Sequence, residues 1–221
     1  MTFLNKIIDA FFPPRCLICK QIVKCDYIFC DHCSTRVKQI VNKVQINFKY
    51  GKQYFDKCVA GFYYQEPMSN IVCNFKFKKN WNKTRALARI LEKIITLNYE
   101  EYTIDIIAFV PETDKSKKHA LLLAHELARQ LNKKYKPLLK KICNNKTQHS
   151  LDRQERLDNI RGVYMLEENI DVHGKNIILI DDIVTTGSTL NECAKVFKLA
   201  GANAVLCAAI CATKIDWNFD A

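Results

Sequence analysis

ILIDDIVTTGSTL, residues 178–190, carries the reading on which the fold turns. Ile177–Ile180 form an apolar run too short for a core helix and suited to a strand buried on both faces. Asp181 and Asp182 follow at once, then Thr185, Thr186, Gly187, Ser188 and Thr189, and then STLNECAKVFKLAG, whose Leu190, Cys193, Ala194 and Phe197 recur at helical spacing up to Gly201. A strand that runs through a glycine turn into a helix aims free amides at one point, and the hydroxyls add donors at the positive end of that helix. Such a cup fits a phosphate monoester. Two carboxylates at the strand end accept hydrogen bonds from a vicinal diol, so the stretch as a whole suits a ribose 5-phosphate. Helix capping alone explains one or two such residues, not two acids and four hydroxyls around one glycine.

Working outward, CVAGFYYQ (58–65), DIIAFVP (105–111) and AVLCAAI (204–210) read as further apolar strands. TRALARILEKII (84–95), with Leu87, Ile90, Leu91 and Ile94 on one face, and ALLLAHELARQL (120–131) read as amphipathic helices. Alternating strands and helices predict an α/β fold with a parallel sheet covered on both faces. In such sheets ligands sit beyond the carboxyl ends of the strands, where Asp181 and Asp182 fall.

CLICKQIVKCDYIFCDHC (16–33) holds two Cys-x-x-Cys pairs, Cys16/Cys19 and Cys30/Cys33. Two such turns close a tetrahedral zinc site with no open position, which marks the metal as structural. Cys25 and His32 are spare ligands beside the quartet. The chain has 11 cysteines, an odd number, and its N-terminus lacks the pattern of a secretory signal, which points to a reducing cytoplasm and against disulfides. Phe3, Leu4, Ile7, Ile8, Phe11 and Phe12 suggest a short helix that covers the core. The longest uncharged run, GANAVLCAAICAT, is too short for a membrane span, so the chain reads as soluble and not as an integral membrane protein. A formal charge of +11 favours polyanionic partners. NFKFKKNWNKTR (74–85) interleaves Phe75, Phe77 and Trp81 with Lys76, Lys78 and Lys79, a composition suited to stacking on unpaired bases while cations follow phosphates. The same pattern also fits a half-buried segment with aromatics inward and lysines in water.

The 178–190 stretch resembles the phosphoribosyl-diphosphate motif of type I phosphoribosyltransferases. With the cysteine module, FKFKKNWNKTRALARIL and QHSLDRQERLDNIRGVY, in which Gln148, Leu151, Arg156 and Asn159 match, the chain resembles the ComF family of competence proteins along nearly its whole length. The resemblance implies a zinc module over 1–45 and a phosphoribosyltransferase-like domain over 55–215. It implies that Asp181 and Asp182 hold the ribose, that Thr185, Thr186, Gly187, Ser188 and Thr189 hold the 5-phosphate, and that Arg153 and Arg156 lie on a loop able to close over the diphosphate with Mg2+. It further implies a cytoplasmic protein of DNA uptake in natural transformation, with single-stranded DNA and inner-membrane translocation proteins as partners. VPETDKSKKHALLLA (110–124) departs from the family: Val110 and Pro111 match, but the arginine–glycine turn is replaced by Lys115, Lys117, Lys118 and His119. That departure leaves transfer chemistry and the acceptor base open, together with two other readings: an active phosphoribosyltransferase of nucleotide metabolism and a phosphoribosyl-diphosphate-sensing regulator. The histidines show no triad or metal spacing and receive no catalytic role.

Overall fold

The computed structural model describes residues 13–24, 27–40, 46–77, 81–112, 118–142 and 162–213. Its centre is a five-stranded parallel sheet in the order β1-β7-β6-β2-β3, formed by β1 (Lys57–Tyr63), β2 (Ile106–Phe109), β3 (Lys134–Tyr135), β6 (Asn176–Val184) and β7 (Ala204–Ala212). A two-stranded antiparallel pair, β4 (Leu139–Lys141) and β5 (Tyr164–Leu166), stands beside it. The strands expected from their apolar runs are all present, and β7 is buried along its whole length, as a central parallel strand must be.

Helices cover both faces. On one lie α2 (Met68–Phe77), α3 (Trp81–Asn98) and α4 (His119–Leu131), which bury Phe75, Leu87, Leu91, Leu123 and Leu127 against Ile178 and Ile180. On the other lies α5 (Ser188–Leu199), with Leu190, Cys193 and Phe197 against Ile177 and Leu179. A buried fork ties α4 together: Arg129 donates to both oxygens of Glu126 at 2.9 and 2.7 Å, and Gln130 bridges from Glu126 to the Arg85 carbonyl of α3. Arg129 first, with Gln130, holds the Glu126 carboxyl below its ordinary value although burial opposes its charge.

The connection after β2 runs on the α4 face and the connection after β6 on the α5 face, although β2 and β6 are neighbours. Their carboxyl ends therefore diverge into a crevice, the topological switch point where α/β sheets take ligands.

The cysteine module, with its single-turn helix α1 (Asp31–Ser34), packs into the same core as the sheet. Phe29 meets Phe62 of β1 edge to face at 5.8 Å. Beyond the module, Lys38–Ile40 runs antiparallel to β1: the Ile40 amide donates to the Gly61 carbonyl, and Tyr63 donates to Lys38. This segment covers what is otherwise an open sheet edge. The apolar N-terminal stripe at residues 3–12 lies outside the described residues.

Candidate active site and metal centre

The turn after β6 begins where Val184, buried at the strand end, accepts a hydrogen bond from the Thr213 amide at 3.0 Å. Gly187 has φ +76°, a left-handed conformation that a side chain disfavours and glycine adopts without cost. It precedes α5 directly, so the first-turn amides of that helix point away from it with no intrahelical partner. The Thr186 and Ser188 hydroxyls lie 2.6 Å apart, both buried, and the Ser188 amide donates to Thr186 Oγ1 at 3.3 Å. Thr185 and Thr189 are half-buried. All five expected phosphate-cup residues thus share one tight turn at a helix N-terminus, an arrangement able to hold an anion.

The two acids divide between the faces of the sheet. Asp181 is half-buried on the α5 side, within electrostatic reach of Cys193 and Tyr164, and accepts the Asp182 amide at 2.8 Å. Burial, with the neighbouring Asp182 charge added to it, pushes the Asp181 carboxyl up to about 7. Asp182, almost fully buried, faces α2 and α4: Lys76 Nζ stands 2.8 Å from its Oδ2, and His119 Nε2 is 3.7 Å from the same oxygen. Burial works against the charge on Lys76, yet Asp182 holds its ammonium above the ordinary lysine value. His119 also reaches Glu112 through Nδ1 at 3.2 Å, and the Ala120 amide donates to the same Glu112 oxygen at 2.7 Å. Phe75 packs edge to face on the His119 ring at 5.8 Å.

Lys76, Glu112 and His119 therefore gather at Asp182, a place that sequence reasoning gave to neither Lys76 nor Glu112, while His119 stood among the residues that replace the arginine–glycine turn. No spacing could supply it, because they come from α2, the segment after β2 and the start of α4. Phe75 is 3% exposed, so it and Lys76 turn inward. Lys78 and Lys79 lie outside the described residues, as do the side chains of Phe77 and Trp81 and the loop carrying Arg153 and Arg156. The Gly162 amide donates to Glu192 of α5 at 2.7 Å, one turn beyond Ser188.

In the cysteine module, the sulfurs of Cys16, Cys19, Cys30 and Cys33 all lie within 4.8 Å of one another, and Cys19 and Cys30 stand 3.6 Å apart. A zinc ion at about 2.3 Å from each of four thiolates sets sulfurs about 3.8 Å apart, so the cluster fits a tetrahedral site. Among the described residues His32 is not part of the group, and Cys25 lies outside them. Burial opposes ionisation of Cys16, but backbone hydrogen bonds at Cys19, Cys30 and Ile18 bring it down to about 6. Burial and the other thiols push Cys33 up to about 12. A bound cation resolves that conflict by stabilising every thiolate at once.

No helix among the described residues is long and apolar enough to cross a membrane. Residues 79–220 match the phosphoribosyl transferase domain and residues 7–45 the double zinc ribbon domain. Competence protein F of Haemophilus influenzae is 26% identical over 196 residues, covering 84% of this chain and 85% of that protein. The DNA utilization protein YhgH of Escherichia coli is 28% identical over 161 residues, covering 68% and 69%. Competence protein ComFC of Streptococcus pneumoniae is 28% identical over 146 residues, covering 66% and 64%. With more than half of its length matched by one family and the cysteine quartet matched by the other, the chain belongs to the phosphoribosyl transferase domain family and carries a double zinc ribbon ahead of that domain.

Proposed function

We propose that the protein binds phosphoribosyl diphosphate or a related ribose 5-phosphate at the end of β6 and acts in the uptake of transforming DNA, handling the incoming single strand in the cytoplasm. The observation that carries the ligand reading is the turn 185–189, where Gly187 in the left-handed region and paired buried hydroxyls open directly into α5. Asp181 and Asp182 accept the ribose hydroxyls, and the 5-phosphate takes the amides and hydroxyls of Thr185 to Thr189. Arg153 and Arg156, by the family resemblance, are assigned to the diphosphate. Mg2+ brought in with the diphosphate would neutralise charge on the phosphates. The similarity to competence proteins and to a DNA utilization protein supports the uptake role. Residues 1–45 serve as the zinc module and 55–215 as the ligand-binding domain, with membrane translocation proteins as partners.

Calorimetric titration of phosphoribosyl diphosphate with Mg2+ tests the ligand reading. Saturable binding, lost in an Asp181→Asn, Asp182→Asn variant that still melts cooperatively, is the expected result. Absence of heat with wild type, for both phosphoribosyl diphosphate and ribose 5-phosphate, excludes the reading.

A further inference from the structure

FKYGKQY, residues 48–54, repeats the aromatic–lysine composition of the 74–85 stretch in a different setting. In α2, Phe75 is buried and Lys76 is held on Asp182. In 48–54, Lys49 and Lys52 are exposed, and Phe48, Tyr50 and Tyr54 are half-buried. Phe48 and Tyr50 meet edge to face at 5.8 Å. Lys52 Nζ stands 5.2 Å and Lys195 Nζ 5.9 Å from the Tyr54 ring centre, with Lys195 also 3.6 Å from Glu192.

The display is fixed in shape. Gln53 accepts the Phe48 amide at 2.8 Å and donates to the Phe55 carbonyl at 3.1 Å, closing the loop on itself around Gly51 at φ +121°. Asn191 of α5 accepts the Tyr54 amide at 2.7 Å and donates to the Lys52 carbonyl at 3.0 Å. Its own amide donates to the Gly187 carbonyl, and a Cβ on Gly187 would lie 3.8 Å from the Phe48 ring. The segment is therefore pinned to the phosphate cup at two points. Rigid aromatics interleaved with cations serve single-stranded nucleic acid, because every base offers a face for stacking and every nucleotide a phosphate.

We propose that residues 48–54, with Lys195, form the contact surface for single-stranded nucleic acid beside the phosphate cup. This inference rests on the reading of the protein as a handler of single strands and assigns that role to a place.

Fluorescence anisotropy with a labelled oligothymidylate, measured on the full chain across a salt series, tests it. Lys49→Gln with Lys52→Gln is expected to lower affinity about tenfold and to flatten the slope of log affinity against log salt by about 1.4, or about 0.7 for each lost phosphate contact. Tyr50→Ala is expected to lower affinity about tenfold with the slope kept. A Lys78→Gln, Lys79→Gln variant is expected to bind within twofold of wild type. Wild-type affinity in the 49/52 variant, with the loss confined to the 78/79 variant, overturns the assignment and returns the role to the 74–85 stretch. A 49/52 variant that weakens only ribose 5-phosphate binding makes the segment a cover for the cup and equally overturns it. A wild-type protein that binds no oligonucleotide removes the single-strand reading itself, a failure distinct from the other two.

Discussion

The cysteine quartet and the β6 strand end are built on opposite plans. The quartet takes its four ligands from one stretch of 18 residues, Cys16 to Cys33, and closes them within 4.8 Å, leaving no position for a substrate. The strand end draws on the β6–α5 turn, α2, the segment after β2 and the start of α4, and it lies where the connections after β2 and β6 part. A closed site can be spent on stability. An open site has to hold charge in strained surroundings so that a ligand gains by entering, and Asp181 bears the mark of that in a carboxyl pushed up to about 7.

The largest expected effect belongs to the closed site. Cys16 and Cys33 are fully buried in the same core as Phe62 and Leu87, so metal loss reaches the sheet. Stripping zinc with a chelator is expected to lower the thermal midpoint by about 10 °C, corresponding to about 3 to 4 kcal/mol. An unchanged midpoint after the metal is shown to be gone breaks the comparison, because the quartet would then hold nothing together.

Gly187→Val comes next. A β-branched residue at φ +76° costs about 2 to 3 kcal/mol and tilts the cup amides. Melting should report a fall of about 7 °C and calorimetry a loss of ribose 5-phosphate binding. A variant that melts lower yet binds normally makes the turn structural and the site something else.

Asp181→Asn has the opposite sign. Since the folded-state value of about 7 lies above that of an ordinary carboxyl, the folded protein retains a proton that the unfolded chain releases, and stability falls as pH rises from roughly 4 to 7. The variant is expected to be more stable than wild type by about 2 kcal/mol at pH 8 and equal to it near pH 4, as read from melts across the range. Equal melts at both pH values show that the carboxyl is not strained and erase the contrast with the quartet.

The smallest effect is expected for Lys76→Gln. The Lys76 side chain is one-third exposed, so loss of its pair with Asp182 should cost about 1 kcal/mol, or about 3 °C, with the fold intact. A loss as large as that of zinc places Lys76 among the structural groups rather than at an open site.

The same contrast explains what the amino-acid sequence made legible. Local structure was readable: the quartet from its two Cys-x-x-Cys turns, the tight turn at Gly187 from strand, glycine and hydroxyls in succession, and α3, α4 and α5 from their apolar stripes. The neighbours of Asp182 were not, because Lys76, Glu112 and His119 meet only after the sheet and three connections are in place. Phe75, Lys76 and Phe77 alternate in sequence although they lie on a helix. The true period was present in Met68, Ile71, Val72 and Phe75, which are buried at i, i+3, i+4 and i+7 along α2. The strands β3, β4 and β5, only two or three residues long and rich in Lys and Tyr, carry no period to detect.

A crystal structure of the protein with phosphoribosyl diphosphate and Mg2+ tests the central claim most directly. The account predicts the 5-phosphate among the amides and hydroxyls of Thr185 to Thr189 and the ribose hydroxyls on Asp181 and Asp182, with Lys76 shifted from its place on Asp182. A ligand seated on another surface, with the cup and the Lys76–Asp182 pair unchanged, contradicts it.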